Sequence, residues 1–270
     1  MDLSLATEER RLFFGASIEA AWPRELPHGR ILKERERHMT LSFLGRASLP
    51  ALQQILPSAP LPSFRIGAVG KCDNVLFFPE ENPHVAAGHI NWLSHGEEVA
   101  SFQRELAGWL SEHGYKKERR AFSPHVTLAR EPFSIEEWKK LPCNFPLILT
   151  GIHLYESVGN LTYQPLWSHP LLLPFEEFEH TADIAFLIRG ESVREIHLHA
   201  QMALAFKFPP LLSFFAPESA DTLDEIVMAL NRLIARTDIE IGIPFKAVSF
   251  HGNLKTSSAQ ILEWEMIVDV

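Results

Sequence analysis

Apolar positions recur along the chain with two different periods. Residues 11–18 (RLFFGASI) form a compact apolar run with aromatic side chains, which predicts a buried strand. In residues 97–114 the apolar side chains fall three or four positions apart, which predicts an amphipathic helix that ends at Gly114. Those side chains are Val99, Phe102, Leu106, Trp109 and Leu110. Strand and helix patterns along one chain predict an α+β protein.

The last hundred residues show the same mixture. Residues 182–189 and 260–268 have strand patterns, and a helix is expected over about 192–206. A second helix begins at Thr222, which forms with Glu225 the sequence signature of a capping box. The apolar stripe of this helix predicts core packing, and it consists of Leu223, Ile226, Val227, Leu230, Leu233 and Ile234.

A proline-rich segment separates two parts of the chain. Residues 165–174 (PLWSHPLLLP) contain three prolines, which is typical of a linker or a boundary strand. The balance of basic and acidic residues also changes at this segment. Residues 1–170 carry 18 Lys and Arg against 19 Asp and Glu, whereas residues 171–270 carry 7 against 15. We therefore predict two domains, at 1–170 and at 175–270.

Composition indicates neither a membrane protein nor a secreted one. The first residues lack the apolar run of a signal peptide, and no later segment approaches the ~18 uninterrupted apolar residues of a membrane span. Cys72 and Cys143 lie far apart and predict neither a disulfide framework nor a thiolate metal site. We expect a soluble, cytoplasmic protein that binds no membrane.

The sequence H-x-T-L occurs twice, at His38 and at His125. Both copies lie in a β-favouring context, so Thr40 is expected on the same strand face as the first histidine, and Thr127 on that of the second. The core-facing side chains of the first copy are expected to be Met39, Leu41 and Phe43. If the two strands lie together, two imidazoles and two hydroxyls converge on one concave face.

This set of side chains suits the opening of a cyclic phosphodiester without a metal. One imidazole can take a proton from the attacking water while the other protonates the departing ribose oxygen. Thr40 and Thr127 can donate hydrogen bonds to the non-bridging phosphate oxygens. Arg130 would add a charge-assisted contact, but regular alternation puts it on the opposite face from His125. A bulge or a strand end would have to bring it round.

Charged runs precede both motifs. They are KERER at residues 33–37 and KKERR at residues 116–120. Next to phosphate-binding motifs, such runs predict local basic patches for nucleic acid, although short charged runs are also common as solvated turns without a partner.

Residues 10–168 resemble the two-histidine phosphoesterase family, in particular the RNA 2′,3′-cyclic phosphodiesterases once called 2′-5′ RNA ligases. The resemblance lies in RLFFGASI, HMTLSFLG, SPHVTLAR and IHLYESVGNLTYQPL. It implies a bilobal α+β fold around a central cleft, an RNA end with a 2′,3′-cyclic phosphate as substrate, and a 2′-phosphate product. It also implies that His38 and His125 are the catalytic acid and base, in either order. Tyr155 and Tyr163 match family positions near the final strands, where a packing role suffices.

Residues 175–270 resemble archease, a small α+β protein that assists the GTP-dependent RNA-splicing ligase. The resemblance lies in FEHTADIAFLIRG, KAVSFHGNL and WEMIVDV. It implies a divalent-metal site, for calcium or magnesium, formed by Asp183, Asp269 and the carboxylate of Val270, and a functional Lys246 that serves ligase activation. Between the predicted end of the preceding helix, near Arg236, and Lys246, the chain is shorter than in that family, so this domain is expected to be trimmed.

Three functions remain open from the sequence. The first is a bifunctional RNA-end protein that opens cyclic phosphates and assists a ligase. The second is a non-catalytic module that binds RNA ends and acts as a ligase cofactor. The third is RNA ligation by the reverse of the phosphodiesterase reaction. Substitution of each histidine separates the first two, and analysis of the product separates hydrolysis from ligation.

Overall fold

The structure is a computed structural model that describes residues 9–116, 120–179, 183–216, 220–249 and 252–270. Its first eight strands form one antiparallel sheet. These strands are β1 (Glu9–Ala20), β2 (Arg30–Ile31), β3 (His38–Ser48), β4 (Val69–Phe78), β5 (Val85–Trp92), β6 (His125–Arg130), β7 (Phe145–Gly159) and β8 (Thr162–Pro170). The α-helices among them are α1 (Leu49–Ile55), α2 (Gly96–Glu112) and α3 (Ile135–Trp138). This mixture agrees with the α+β class expected from the sequence.

Six of these strands close into a ring. Hydrogen-bonded neighbours follow in the order β1, β3, β6, β5, β4 and β7, and β7 pairs again with β1. Strand β2 adds to β6, and β8 adds to β7. The closed, barrel-like sheet brings β3 and β6, which are far apart in the sequence, side by side.

The two faces of β1 have different roles. Its even-numbered residues from Leu12 to Ile18 pack into the first hydrophobic core together with the buried apolar stripe of α2. Phe13, Gly15 and Ser17 point to the opposite face, because side chains alternate along a strand. That second face of the sheet carries the site described below.

A second, five-stranded sheet follows. Its strands are β9 (Phe175–Phe178), β10 (Ile184–Gly190), β11 (Ala247–Val248), β12 (Lys255–Thr256) and β13 (Leu262–Asp269), all antiparallel where they pair. Two helices, α4 (Val193–Lys207) and α5 (Leu223–Ile241), pack on this sheet in a second hydrophobic core. Val69 of β4 and Ile148 of β7 are also part of this core.

Helix α5 begins as the sequence predicts and ends later. Thr222 and Glu225 form the expected capping box, in which each side chain accepts from the backbone N–H of the other. The predicted end near Arg236 is wrong, because the helix continues to Ile241. It stops where Gly242 adopts a φ of 73°, a left-handed conformation that only glycine takes at no steric cost.

The proline-rich residues 165–174 belong largely to β8 and to the short connection after it. Leu172 forms a parallel bridge with Ile66, so this connection is tied to the first part of the chain. Arg65 also donates to the Glu191 carboxylate over 2.8 Å, which links the two sheets. The expected division into domains at 1–170 and 175–270 stays a prediction.

Among the helices that the structure describes, none combines the length and the apolar composition that a membrane crossing requires.

The two cysteines are free thiols, yet they are not isolated from one another. Cys72 on β4 and Cys143, just before β7, are close enough for each thiol to shift the pKa of the other. The pairing of β4 with β7 explains this proximity, which the sequence spacing does not indicate.

Candidate active site

The two H-x-T-L motifs lie next to each other on β3 and β6. The register of these antiparallel strands pairs Met39 with Val126, and both side chains are fully buried in the core. The residues on either side of this pair therefore point to the opposite face of the sheet. Continuing the register, His38 stands opposite Thr127.

On the other side of the same pair, Thr40 stands opposite His125. The two histidines are then diagonal neighbours, and diagonal neighbours are about 7–8 Å apart, with their Cβ atoms somewhat closer. The positive charge of His125 acts on the pKa of His38, as this proximity requires. The four polar side chains that the sequence singled out thus share one face, with a gap between the imidazoles.

A β-bulge brings Arg130 to the same face. Thr127 pairs with Ala87 and Ala129 pairs with Ala86, so Leu128 is an inserted residue without a counterpart on β5. The insertion reverses the alternation of side chains, and Arg130 emerges on the face of Thr127. The positive charge of Arg130 contributes to lowering the pKa of His38. The bulge named in the sequence analysis as a condition for this contact is present.

The first motif also contains a β-bulge. Thr40 pairs with Gly15 and Ser42 pairs with Phe14, so Leu41 is inserted on β3. The predicted core position of Phe43 is wrong for this reason, because the bulge turns that side chain away from the core. Phe43 is 59% exposed, and it lies on the face of Thr40, over Phe13 at 5.9 Å between ring centroids. Phe43 and Arg130 therefore occupy equivalent positions in the two motifs.

Backbone carbonyls orient both imidazoles in the same way. His38 Nδ1 lies 2.9 Å from the Glu36 carbonyl oxygen, and His125 Nδ1 lies 2.7 Å from that of Ser123. A carbonyl only accepts, so Nδ1 of each ring carries the hydrogen and donates it. Each neutral ring then presents an unprotonated Nε2 that can receive a proton.

The two histidines differ in burial and therefore in proton affinity. Burial lowers the pKa of His38 to about 4, and the charges of Arg130 and His125 act in the same direction. Burial also lowers the pKa of His125, with further contributions from His89 and Arg120. His125 is only half-buried, whereas His38 is 9% exposed. Of the two, His125 is the one that better retains a proton as the pH rises.

The charged run before His38 is divided between surface and interior, because Lys33, Glu34 and Arg35 are exposed whereas its last two residues are not. Glu36 and Arg37 are buried, at 7% and 6% exposure. The Glu36 carboxylate accepts from the backbone N–H of Tyr163 over 2.8 Å, and Arg37 donates to the Leu32 carbonyl over 3.1 Å. These bonds hold the segment whose Glu36 carbonyl orients His38. The second run lies partly outside the described residues, at 117–119.

Aromatic rings enclose His38. Tyr163 meets its ring edge-on at 4.6 Å, Phe13 lies at 4.8 Å and Tyr155 at 5.4 Å between centroids. Burial and the nearby Glu36 carboxylate raise the pKa of Tyr155 to about 12, so its hydroxyl stays protonated. Both tyrosines singled out in the sequence therefore contact a predicted catalytic histidine.

A histidine and aspartate pair beside His125 escaped the sequence analysis. His89 pairs with His125 across β5 and β6, and its Nδ1 lies 2.7 Å from Asp73 Oδ1. The other carboxylate oxygen accepts from Asn91 over 3.0 Å. No spacing in the sequence relates these residues to the motif, since three different strands bring them together.

A further histidine, His153 on β7, also lies on this face and is held by hydroxyl groups. Its Nε2 lies 3.0 Å from Ser17 Oγ and its Nδ1 2.8 Å from Ser168 Oγ. Burial lowers its pKa. Because both ring nitrogens have partners in the protein, His153 is a part of the wall and not a free acid or base.

The residues that the archease resemblance singled out gather at one corner of the second sheet. Ile184 pairs with Val268, so the next positions, Asp183 and Asp269, face each other. Lys246 Nζ donates to the Val270 carbonyl over 2.5 Å. Within the described ranges, no three His, Cys, Asp or Glu side chains are arranged to hold a metal ion. A calcium or magnesium site here stays a prediction, and residues 180–182 of its HTAD motif lie outside the described residues.

No protein-family model matches the chain, and no curated protein matches it. Similar solved structures include a crystal structure of a phosphoesterase, at 22% identity and a TM-score of 0.44 over 61% of this chain and 99% of that one. Escherichia coli LigT complexed with 3′-AMP gives the same four values. TT0787 of Thermus thermophilus is 18% identical, with a TM-score of 0.46 over 60% of this chain and 97% of that one. Identities and TM-scores this low do not justify transferring a reaction from those proteins to this chain, so function is inferred from the residues described above.

Proposed function

We propose that this protein hydrolyses 2′,3′-cyclic phosphate ends of RNA to 2′-phosphates. The observation that carries the proposal is the placement of two imidazoles, two threonine hydroxyls and Arg130 on one face of the sheet, produced by the register of β3 with β6 and by the bulge at Leu128. Two titratable rings on neighbouring strands, with hydrogen-bond donors beside them, suit in-line displacement at phosphorus.

In the proposed reaction, the Nε2 of His38 acts as the general base. It takes a proton from a water molecule as the water oxygen bonds to phosphorus. The bond from phosphorus to the ribose O3′ breaks, and His125 gives its proton to that oxygen. The assignment follows from burial, which keeps His38 neutral over a wider pH range than His125. The product is a 2′-phosphate beside a 3′-hydroxyl, and proton return between the rings through solvent completes the cycle.

Negative charge builds on the non-bridging oxygens as the water attacks. Thr40 and Thr127 can donate hydrogen bonds to these oxygens, and the guanidinium of Arg130 adds a charge-assisted contact. The exposed ring of Phe43, on the same face, offers a surface for stacking of the terminal base, a contact that every nucleobase can make. Neither role needs a metal ion.

The experiment is incubation of the purified protein, in EDTA, with a short RNA that ends in a 2′,3′-cyclic phosphate. We expect conversion to a 2′-phosphate end, lost in His38→Ala and in His125→Ala. His113→Ala, an exposed histidine at the end of α2, is the matched control and should act as wild type. Absence of conversion by the wild-type protein, with and without added metal, would contradict the proposal. A joined RNA product would favour ligation.

The second candidate is a non-catalytic module that binds RNA ends. The burial of His38 favours it, because a histidine with a pKa of about 4 is uncharged at neutral pH and can serve as a neutral hydrogen-bonding group. Against it stands the orientation of both rings, since each presents a free Nε2 to the same gap. A binder would keep its RNA affinity and show no turnover in the assay above.

For residues 175–270 we propose a role in assisting a GTP-dependent RNA-splicing ligase. Support comes from the gathering of Asp183, Asp269 and Lys246 at one corner of the sheet. The test is the addition of the full chain to such a ligase reaction, with and without calcium or magnesium. Stimulation that disappears in Lys246→Ala supports the role. Equal ligation in the presence and absence of the protein contradicts it.

A further inference from the structure

Two arginines face each other at the far end of the face that carries the histidines. Register pairs Arg11 on β1 with Arg46 on β3, and both side chains are exposed. Arg11 lies two residues from Phe13 and therefore shares its face. Like charges directly opposite in an antiparallel pair destabilise it. Among the described residues neither guanidinium has a hydrogen-bond or ion-pair partner.

The pair borders an open depression of about 390 Å³. Arg10, Glu9 and Glu156 also line it, and the Glu156 carboxylate accepts from Arg10 Nη1 over 3.0 Å. Among the described residues that line the depression, three guanidinium groups stand against two carboxylates, an excess of one positive charge. An exposed cross-strand pair of like charges beside a depression is suited to binding an anion that bridges both groups.

Strand β1 runs from the depression to the candidate active site. Ser17 pairs with His38 at one end, and Arg11 lies six residues away on the same face. At about 3.3 Å per strand residue this is ~20 Å. The rise of one stacked nucleotide is only about 3.4 Å. A mononucleotide held at the histidines does not span this length, whereas an oligonucleotide does.

We infer that Arg11 and Arg46 bind phosphodiester groups of an RNA strand on the 5′ side of its cyclic end, several nucleotides from the reacting phosphate. This inference rests on the proposed function and specifies its substrate as an oligonucleotide. The exposed Phe43 lies between the histidines and the arginine pair on the same face, so the strand follows β3 from one end to the other. The pair raises affinity for the RNA and takes no part in the chemistry.

The test compares wild type with Arg11→Gln, Arg46→Gln and the double variant. Binding of a fluorescein-labelled decaribonucleotide with a cyclic phosphate end is measured by anisotropy at several salt concentrations. We expect the double variant to weaken binding about tenfold or more, and the slope of log Kd against log salt to fall by about 0.7 for each arginine removed. Arg104→Gln, an exposed arginine of α2, is the matched control and should change neither quantity.

A cyclic mononucleotide separates this inference from the proposed function. We expect kcat/KM for the mononucleotide to stay within about twofold of wild type in all four variants, which also shows that they fold. Equal affinity of wild type and double variant for the decaribonucleotide would overturn the inference, as would an equal loss for both substrates. If wild type hydrolyses neither substrate, the proposed function fails, and the anisotropy comparison still decides whether the arginines bind RNA.

Discussion

Thr127 and Arg130 lie on the same face of β6 although they are three positions apart along the chain. In a regular strand, residues an odd number apart point to opposite faces. The inserted Leu128 removes that opposition and puts the Thr127 hydroxyl and the Arg130 guanidinium on one face of the strand. Thr40 and Phe43 have the same relationship through Leu41. The two motifs are thus alike in backbone geometry as well as in sequence.

The proposed contact of Arg130 with the substrate phosphate gives the first prediction. Arg130→Gln should lower kcat/KM for a cyclic-phosphate substrate about 10- to 100-fold, because a hydrogen bond to a charged group contributes about 1.5–3 kcal/mol. Arg130→Lys should recover part of this loss, since the charge remains and the forked donor geometry does not. Steady-state kinetics measure both. Activity within twofold of wild type in Arg130→Gln would show that the bulge has no catalytic purpose.

The pH dependence of kcat/KM gives the second prediction. His38 must be neutral and His125 protonated, so kcat/KM should fall below about pH 4 and also fall as the pH rises past the lowered pKa of His125. The maximum should therefore lie below the ordinary histidine pKa of about 6.5. A pH–rate profile with a mononucleotide substrate measures it. A maximum at alkaline pH would contradict the assignment of base and acid.

His89 gives the third prediction. Its charge lowers the pKa of His125, so His89→Gln should raise that pKa and move the alkaline limb of the profile to higher pH. The acidic limb, set by His38, should stay in place. His113→Gln, which is remote from the site, serves as the control. Equal movement of both limbs would indicate a general disturbance of the site instead of a charge effect on His125.

Stability against acid gives the fourth prediction. His199 is fully buried, its Nδ1 donates to the Arg189 carbonyl, and burial lowers its pKa to about 4. The unfolded chain binds the proton more tightly, so the stabilising contribution is complete above about pH 6.5 and is lost as the pH falls towards 4.

When the pH is lowered from 7.5 to 5, the low pKa of His199 should reduce the free energy of unfolding by about 2 kcal/mol. His199→Asn keeps a donor for the Arg189 carbonyl and cannot be protonated. Urea unfolding at the two pH values should then show a smaller loss in the variant than in wild type. An identical pH dependence of both proteins would mean that His199 titrates normally.

Sequence periodicity predicted the long elements, but it did not locate the local irregularities. Helix α2 and the strand containing residues 11–18 follow from hydrophobic spacing, and the capping box of α5 follows from its Thr and Glu signature. The exposure of Phe43 could not be predicted, because one inserted residue reverses the alternation and leaves no mark in composition.

The candidate active site also combines residues that the sequence predicts with residues that it does not. The histidines and threonines of the two H-x-T-L motifs could be predicted, since each motif is contained in a short stretch of chain. The pairing of His89 with Asp73 depends on the order of strands in the ring, and no short-range pattern contains that order. The burial of Glu36 and Arg37 is also a tertiary effect, because charged runs are ordinarily solvated. Long-range pairing accounts for each residue that the sequence missed.

Single-turnover kinetics at saturating protein separate catalysis by the two histidines from RNA binding most directly. The rate of 2′-phosphate formation and the Kd for the same cyclic-phosphate RNA are measured for wild type, His38→Ala and His125→Ala. We predict that each substitution lowers the rate by at least about 10²- to 10⁴-fold and changes Kd by less than about threefold. A wild-type protein that binds the RNA without converting it, or variants that convert it at the wild-type rate, would contradict the two-histidine mechanism.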